Sequence, residues 1–232
     1  NELTLTGTVQ LDRWSTADRS TPPDSFLRSG KAEWNLDSGR LKAKGPVLGQ
    51  RRDQEGTVLE QIEGPSLNGN TLKGEITVQA PVILKIPREK GVLRAQATTW
   101  LFRNQIIRSA KPFEADLERT RITGDSFRAD LGETTVDVNG ACEIRQPGEV
   151  LEAERCRWNW DSEDVLAEGQ VRLRRDKNDQ VTRATRLEGT VGKEGRISFT
   201  APGSKVQSEV RLPSEGKVGT PGSRPQPNPV SF

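Results

Sequence analysis

The sequence predicts an all-β protein, an elongated open β-jellyroll built of stacked antiparallel strand-pair repeats. Apolar and polar residues alternate along most of the chain, which is typical of strands with one buried face and one solvent-exposed face. A glycine recurs on the apolar face of strand after strand, and short runs rich in Asp, Asn, Ser and Gly separate the strands as hairpin turns do. No long stretch shows the apolar spacing of an amphipathic helix.

The composition limits the core and the partners. Hydrophobic residues make up 31% of the 232 residues and charged residues 29%, which leaves little apolar material for a core. We therefore expect a core that is narrow or shared with a ligand. The 35 Lys and Arg residues nearly balance 33 Asp and Glu residues, so no strong net field favours nucleic acid, and no nucleic-acid partner is expected.

The absence of histidine excludes several kinds of chemistry. Neither a Ser-His-Asp nor a Cys-His site can form, and zinc sites of the usual Cys/His type are excluded as well. We expect no enzymatic activity, no metal and no cofactor. Composition alone does not exclude a catalytic pair of carboxylates such as glycosidases use, although solvent-exposed strand faces also explain the acidic residues.

The recurring glycine defines a repeat. Six segments place a glycine between apolar neighbours on one strand face: 3–11, 41–47, 72–78, 136–144, 165–173 and 187–191. Gly45 and Gly74 are as far apart in the chain as Gly140 and Gly169. A glycine inside a strand predicts a bend, a bulge or the close approach of another group. Repeats of this size predict a quasi-linear array in which each unit packs on its neighbours.

Tryptophan residues occupy matched positions in these repeats. Trp34, Trp100 and Trp158 each follow a leucine at the same spacing, and the segments Trp34–Ser38 and Trp158–Ser162 are nearly identical. These rings either pack in a core, line a long apolar groove, or stack on sugars if they are exposed. The candidate ligand-binding residues all lie on the apolar face of the repeats: Trp34, Leu36, Trp100, Phe102, Phe127, Val136, Val138, Trp158, Trp160, Val171, Leu173, Ile197 and Phe199. Arg172 and Arg174 are candidates for contact with phosphates at the groove mouth, although a solvated strand face explains them equally well.

The two cysteines flank a turn signal. Cys142 and Cys156 lie on either side of Gln146–Glu149, so the two strands joined by that turn bring them close together. They form either a disulfide, which requires an oxidising compartment, or two small buried thiols.

The C-terminal stretch differs in composition from the rest of the chain. Residues 216–229 are dense in proline, glycine and serine, which predicts an extended or disordered tail. We predict one β-jellyroll domain over residues 1–212, followed by a tail over residues 213–232.

The repeats resemble those of a known family. Segments 124–130 and 138–140, followed by 150–158 and 168–173, match a pattern of Leu-x-Ala, an aromatic residue, Asp, and Gly-x-Val-x-Leu. This pattern is similar to the repeats of the LptA/OstA/LptC family of lipopolysaccharide-export proteins. The resemblance implies an open, V-shaped β-jellyroll that binds the acyl chains of lipopolysaccharide and transfers them across the periplasm as part of the Lpt export complex.

The resemblance also implies partners at the two open sheet edges. The N-terminal edge, with Leu3, Leu5 and Val9, would meet the LptB-LptF-LptG inner-membrane transporter. The C-terminal edge, with Val206, Val210 and Leu212, would meet an LptA-like periplasmic bridge protein. We favour the LptC branch over a soluble LptA-like branch because the sequence begins abruptly inside a strand pattern. The expected location is the periplasm of a Gram-negative-type bacterium, with an inner-membrane anchor supplied by an N-terminal helix that the given sequence lacks.

Two other functions are compatible with the same pattern. A structural or adhesive β-repeat protein would have a fully packed core and would bind no lipid. A carbohydrate-binding β protein would need exposed tryptophans, and a carbohydrate-cleaving one would also need a convergent pair of acids.

Overall fold

The computed structural model describes residues 1–14, 16–176, 179–190, 197–201, 203 and 205–209. Within these ranges the chain forms one 18-stranded sheet in which every pairing is antiparallel, so the all-β prediction is confirmed. A short 3-10 helix, Pro87–Glu89, interrupts the strands. None of the helices in the described ranges is long and apolar enough to cross a membrane.

The strands are numbered in chain order. They are β1 Glu2–Arg13, β2 Ser25–Asn35, β3 Arg40–Arg52, β4 Val58–Asn70, β5 Glu75–Val78, β6 Val82–Ile86, β7 Gly91–Ala95, β8 Thr98–Leu101, β9 Ile106–Ser109, β10 Phe113–Leu117, β11 Thr120–Gly124, β12 Ser126–Asp130, β13 Thr135–Gln146, β14 Glu149–Asn159, β15 Asp164–Arg175, β16 Gln180–Thr190, β17 Ile197–Thr200 and β18 Gln207–Glu209.

The long strands bend where the recurring glycines lie. Pairing shifts its register between Thr6 and Val9, between Lys44 and Val47, between Asn139 and Cys142, and between Glu168 and Val171. Gly7, Gly45, Gly140 and Gly169 occupy these shifts with φ of 94°, 88°, 74° and 74°, a conformation that favours glycine. The sequence predicted a bend, a bulge or a close approach at these glycines, and an irregularity of the bulge type is present at four of the six segments. Gly74 instead lies in the turn before β5, and Gly189 lies inside β16 at a continuous register.

The bends divide the sheet into two layers. The two ends of β4 pair with different strands: Leu67–Asn70 pairs with β5, whereas Gln61–Glu63 pairs with β6. One layer, which we call the first layer, runs from β4 through β5, β8, β9 and β12 to the start of β13. The other, the second layer, continues through β6, β7, β10 and β11 to the end of β13. The layers therefore share the bent strands as a common corner.

The apolar core lies between the two layers. The rings of Phe113 in β10 and Phe127 in β12 have centroids 4.7 Å apart, although these two strands do not pair with each other. Side chains that face the interior form rows of cross-strand partners. The first-layer row is Leu3, Trp34, Leu41, Gly69, Ile76, Trp100, Ile107, Ala129, Val136, Trp158, Val165, Gly189 and Ile197. The second-layer row is Leu11, Leu27, Gly49, Ile62, Leu84, Leu93, Ala115, Ile122, Ile144, Leu151, Leu173, Thr182 and Ser208.

Replacing Gly140 tests the role of the bends. We expect Gly140→Ala to lower the free energy of unfolding by about 2 kcal/mol, because a left-handed conformation costs other residues roughly 1–2 kcal/mol and the new Cβ would collide with the side chain of Asp125. Gly148→Ala is the matched control, since Gly148 has φ of 82° but open space around it. Urea denaturation measures both. An equal loss in the two variants would mean that the corner tolerates a side chain.

Candidate functional site

A pocket of about 280 Å³ lies between the layers near the N-terminal end of the sheet. We call it the N-terminal pocket. The second-layer parts of β1, β2 and β3 supply one wall of the pocket. The first-layer parts of β2, β3, β5 and β8 supply most of the opposite wall. Its lining residues are Leu11, Asp12, Arg13, Ser25, Phe26, Leu27, Trp34, Leu41, Gly49, Gln50, Thr71, Ile76, Trp100, Phe102 and Arg103. Most of these side chains are aliphatic or aromatic, so the pocket is suited to an apolar group.

Gly49 and Trp100 face each other across this pocket. Trp100 is held in the first layer by pairing with Ile76 and Ile107. Gly49 is held in the second layer between Leu27 and Ile62. A Cβ placed on Gly49 would lie 3.6 Å from Cζ3 of Trp100, in van der Waals contact. The missing side chain at Gly49 therefore lets the second layer approach the indole ring closely.

Two guanidinium groups border the N-terminal pocket. The Arg13 guanidinium carbon lies 5.5 Å from the centroid of the Phe102 ring, and Arg103 donates a hydrogen bond to the Thr71 carbonyl oxygen at 3.2 Å. Neither arginine forms an ion pair with a residue that the structure describes. Guanidinium groups stay charged and bind carboxylate or phosphate oxygens well. This border suits the anionic head of an apolar ligand.

A second opening lies between the turns at the outer margins of the two layers. It has a volume of about 580 Å³ and includes Trp158 and Trp160 from the first layer. The second layer contributes Leu117, Thr120 and Gln146. Glu89, Glu118, Glu149 and Glu163 outnumber Arg119 among its charged residues. This margin therefore favours an anion less than the N-terminal pocket does.

Pairs of polar side chains lie on the inner face of the second layer, next to its apolar row and nearer the margin of the sheet. Arg51 donates two hydrogen bonds of 2.5 Å to the Glu60 carboxylate. Further along the sheet, Gln146 donates to the Thr120 hydroxyl at 2.9 Å, and Arg175 forms an ion pair with Glu149 at 2.9 Å. The space between the layers is thus apolar inside and polar along its margin. This arrangement suits an amphiphile, whose apolar chain would lie inside and whose polar head would lie at the margin.

Cys142 and Cys156 form a disulfide beside the corner, with their Cα atoms 6.1 Å apart. Cys142 lies in the second-layer part of β13, opposite Ala153, whereas Cys156 lies in the first-layer part of β14, opposite Val138. Both side chains are buried. The bridge therefore connects the two layers across the bend.

The structure buries most of the candidate ligand-binding residues between the layers. Trp100, Phe127, Val136, Val138, Trp158, Val171 and Leu173 are buried, and Trp34, Phe102, Trp160, Ile197 and Phe199 are partly buried against them. The N-terminal pocket brings together Trp34, Trp100 and Phe102. Leu36 differs from the others because it is 41% exposed and lies just beyond the end of β2. Ligand binding by these residues stays a prediction.

Sequence reasoning missed one wall of the N-terminal pocket. Leu11 and Leu27 belong to the apolar pattern, but nothing in that pattern shows which strands face each other across a bend. Gly49 and Arg13 carried no signal at all. Arg172 and Arg174 lie on the outer face of β15, where Arg172 forms an ion pair with Glu152 at 2.9 Å.

The residues predicted for the partner edges are only partly described. Leu3 is 42% exposed, Leu5 is partly buried and Val9 is buried, all in β1, which pairs with β2. Val206 precedes β18 and is 43% exposed. Val191, Val210, Leu212 and residues 213–232 lie outside the described residues. Partner binding at both edges stays a prediction, as does the boundary between domain and tail.

The groups with shifted pKa values lie away from the N-terminal pocket. A hydrogen bond from Lys85, with a further one from Gln61, lowers the pKa of Glu63. A hydrogen bond to Asp137 raises the pKa of Arg157 on the outer face. Within the described ranges, no group of three or more His, Cys, Asp or Glu residues is placed to hold a metal ion.

Comparison with known proteins finds likenesses among solved structures but not among family models or curated proteins. No family model and no curated protein matches the chain. Among solved structures, the chain is similar to LptH of Pseudomonas aeruginosa, described as the LptA-homologous periplasmic component of the conserved lipopolysaccharide transport device. The sequence identity is 13%, the match covers 80% of this chain and 98% of that chain, and the TM-score is 0.28. A TM-score of this size is too low to establish a relationship.

Proposed function

We propose that this protein binds lipopolysaccharide and transfers it across the periplasm without catalysing a reaction. The N-terminal pocket is the observation that carries this proposal, because apolar walls between two layers meet, at one border, two guanidinium groups that form no ion pair with any described residue. Acyl chains would lie between the layers, and an anionic head group would meet Arg13 and Arg103. The resemblance of the repeats to the LptA/OstA/LptC family supports lipopolysaccharide as the amphiphile.

The size of the pocket fits part of such a ligand. Its volume of about 280 Å³ lies near the lower end of the ~300–1,000 Å³ that is usual for small-molecule sites. Each buried methylene contributes about 0.8 kcal/mol, so even one inserted chain of moderate length would bind measurably. Lipopolysaccharide could move along the protein if neighbouring stretches between the layers bound its acyl chains with similar affinity. Movement in one direction would require an external source of energy.

The partners in this proposal follow from the same resemblance. The exposed N-terminal edge at β1 would add a strand of the LptB-LptF-LptG inner-membrane transporter, and the C-terminal edge would add a strand of an LptA-like bridge protein. Assignment to the LptC branch, with an inner-membrane anchor, belongs to the proposal as well.

Photocrosslinking at two neighbouring residues tests the ligand site. Leu11 faces the N-terminal pocket, whereas Gln10 next to it is exposed, does not line the pocket and donates a hydrogen bond to Asp12. A photoreactive residue at position 11 should crosslink to lipopolysaccharide in a saturable way, and the same residue at position 10 should not. Equal crosslinking at both positions, or none at either, would contradict the proposal.

A packed structural repeat protein is the second candidate, because one observation favours it. In the middle of the sheet the layers touch, since the Phe113 and Phe127 rings meet and Ile107 and Ile122 are fully buried. Such packing leaves no room for a ligand unless the layers separate. Quenching of tryptophan fluorescence discriminates the two functions: lipopolysaccharide should protect partly buried Trp34 from a soluble quencher only if the layers admit the lipid.

A further inference from the structure

Three tryptophan side chains bury an indole N–H that has no hydrogen-bond partner among the residues that the structure describes. They are Trp34, Trp100 and Trp158. Trp100 is only 5% exposed and Trp158 only 6%. All three belong to the first-layer row, so they face the space between the layers. The N-terminal pocket is lined by two of them, Trp34 and Trp100, and the opening at the outer margin is lined by Trp158.

Unpaired buried donors of this kind are uncommon in folded proteins. The large majority of buried polar atoms have a partner, because a donor removed from water without one is unfavourable. Trp14 shows the usual arrangement, since its indole N–H donates to the Thr21 carbonyl oxygen at 3.0 Å. The three exceptions among the described tryptophans coincide with the interior row that borders both openings, which favours a partner supplied from outside the protein.

The three donors are also evenly placed along the sheet. Trp34 lies on β2 and Trp100 on β8, and the row passes through β3, β4 and β5 between them. The row from Trp100 to Trp158 on β14 likewise passes through three strands, β9, β12 and β13. Strands lie about 4.8 Å apart, so each interval is roughly 19 Å along the sheet. Equivalent donors therefore recur at equal steps between the layers.

We propose that these indole N–H groups donate hydrogen bonds to oxygen atoms carried by a bound acyl chain, either a chain hydroxyl or an ester or amide carbonyl. The inference rests on the proposed function and adds to it a preference for one chemical class. Oxygen-bearing chains satisfy the donors, whereas plain hydrocarbon leaves them unpaired. Because the donors are buried in the empty protein, ligand entry requires the two layers to part enough to admit an acceptor beside each ring.

Titration with two matched ligands tests this preference. The probes are dodecanoic acid and 3-hydroxydodecanoic acid, which differ in one hydroxyl group. We expect the full chain to bind the hydroxylated acid about ten-fold more tightly. Trp100→Phe should remove most of that difference, because phenylalanine keeps an apolar ring but has no donor. Trp34→Phe provides a second variant if the first folds poorly.

Trp14→Phe is the control, since its N–H already has a partner inside the protein. It should keep the ten-fold preference. The melting temperature of each variant shows whether a change in affinity reflects poor folding, because replacing a buried indole by a smaller ring leaves a cavity. The indole N–H signal of Trp100 should move downfield on adding the hydroxylated acid only.

The outcomes separate the two proposals. Equal affinity of the wild-type protein for both acids would overturn the donor assignment and leave the lipid-binding function standing. If neither acid binds, both proposals are overturned. A preference that survives in Trp100→Phe and in Trp34→Phe would show that another group recognises the hydroxyl, and it would overturn the assignment to these rings.

Discussion

Replacing both Cys142 and Cys156 by alanine is expected to lower the free energy of unfolding by about 3 kcal/mol. The two residues are 14 positions apart, and a disulfide that closes a loop of about 15 residues stabilises a protein by roughly 3 kcal/mol, chiefly by restricting the unfolded chain. The bridge also connects the two layers across the bend between β13 and β14, so its loss removes a direct link at the corner. Urea denaturation of the oxidised wild type and of the double variant measures the difference.

Reduction of the wild-type protein provides the matched control. Reductant should reproduce most of the loss in the wild type and should leave the double alanine variant unchanged, because that variant has no bond to break. Lipid binding at the N-terminal pocket should persist in the double variant, since the pocket is formed by β1, β2, β3, β5 and β8. Equal stability of the oxidised and reduced wild type would show that the bridge adds nothing to the folded corner.

The bent strands show how far the sequence predicts this fold. Alternation of apolar and polar residues indicates strands because successive side chains point to opposite faces, and it identified β1, β3, β13 and β15. Glycines inside those strands indicated bends because few other residues adopt a positive φ, and Gly140 and Gly169 adopt it. Local chemistry thus determines where each long strand turns from one layer to the other.

The middle of the chain shows where that reasoning stops. Between β5 and β12 each bent strand is replaced by two short strands, which are separated by loops such as Gln79–Pro81. The repeat pattern placed Gly74 inside a strand, but it occupies a turn. Alternation of apolar and polar residues shows which face of a strand is buried. It does not show which strand of the other layer lies opposite that face. For that reason Trp100 was identified as a candidate while Gly49, which faces it, was not.

Placing a larger side chain beside Trp100 should weaken lipid binding. Gly49→Leu would direct an isobutyl group into the N-terminal pocket, because a Cβ at this position already lies 3.6 Å from the Trp100 ring. We expect affinity for lipopolysaccharide to fall at least ten-fold, since the excluded part of an acyl chain would forfeit about 1.5–3 kcal/mol of burial. The same Cβ would lie 3.0 Å from Cγ2 of Ile62, so this side chain must shift by a few tenths of an ångström. Gly132→Leu in the exposed turn between β12 and β13 is the control that should bind normally.

The melting temperature decides how a loss of binding in Gly49→Leu is interpreted. If the variant melts near the wild type but no longer binds, the ligand must occupy the volume that leucine fills, and the N-terminal pocket is the site. If it melts much lower, Leu27→Phe offers a milder way to reduce the same volume, because Leu27 is only partly buried and lines the pocket. Unchanged binding in both variants would exclude this pocket, and the acyl chains would then have to enter elsewhere, beside Trp158 and Trp160 at the outer margin. The acidic residues there would favour a head group with less negative charge, so this outcome would also argue against lipopolysaccharide.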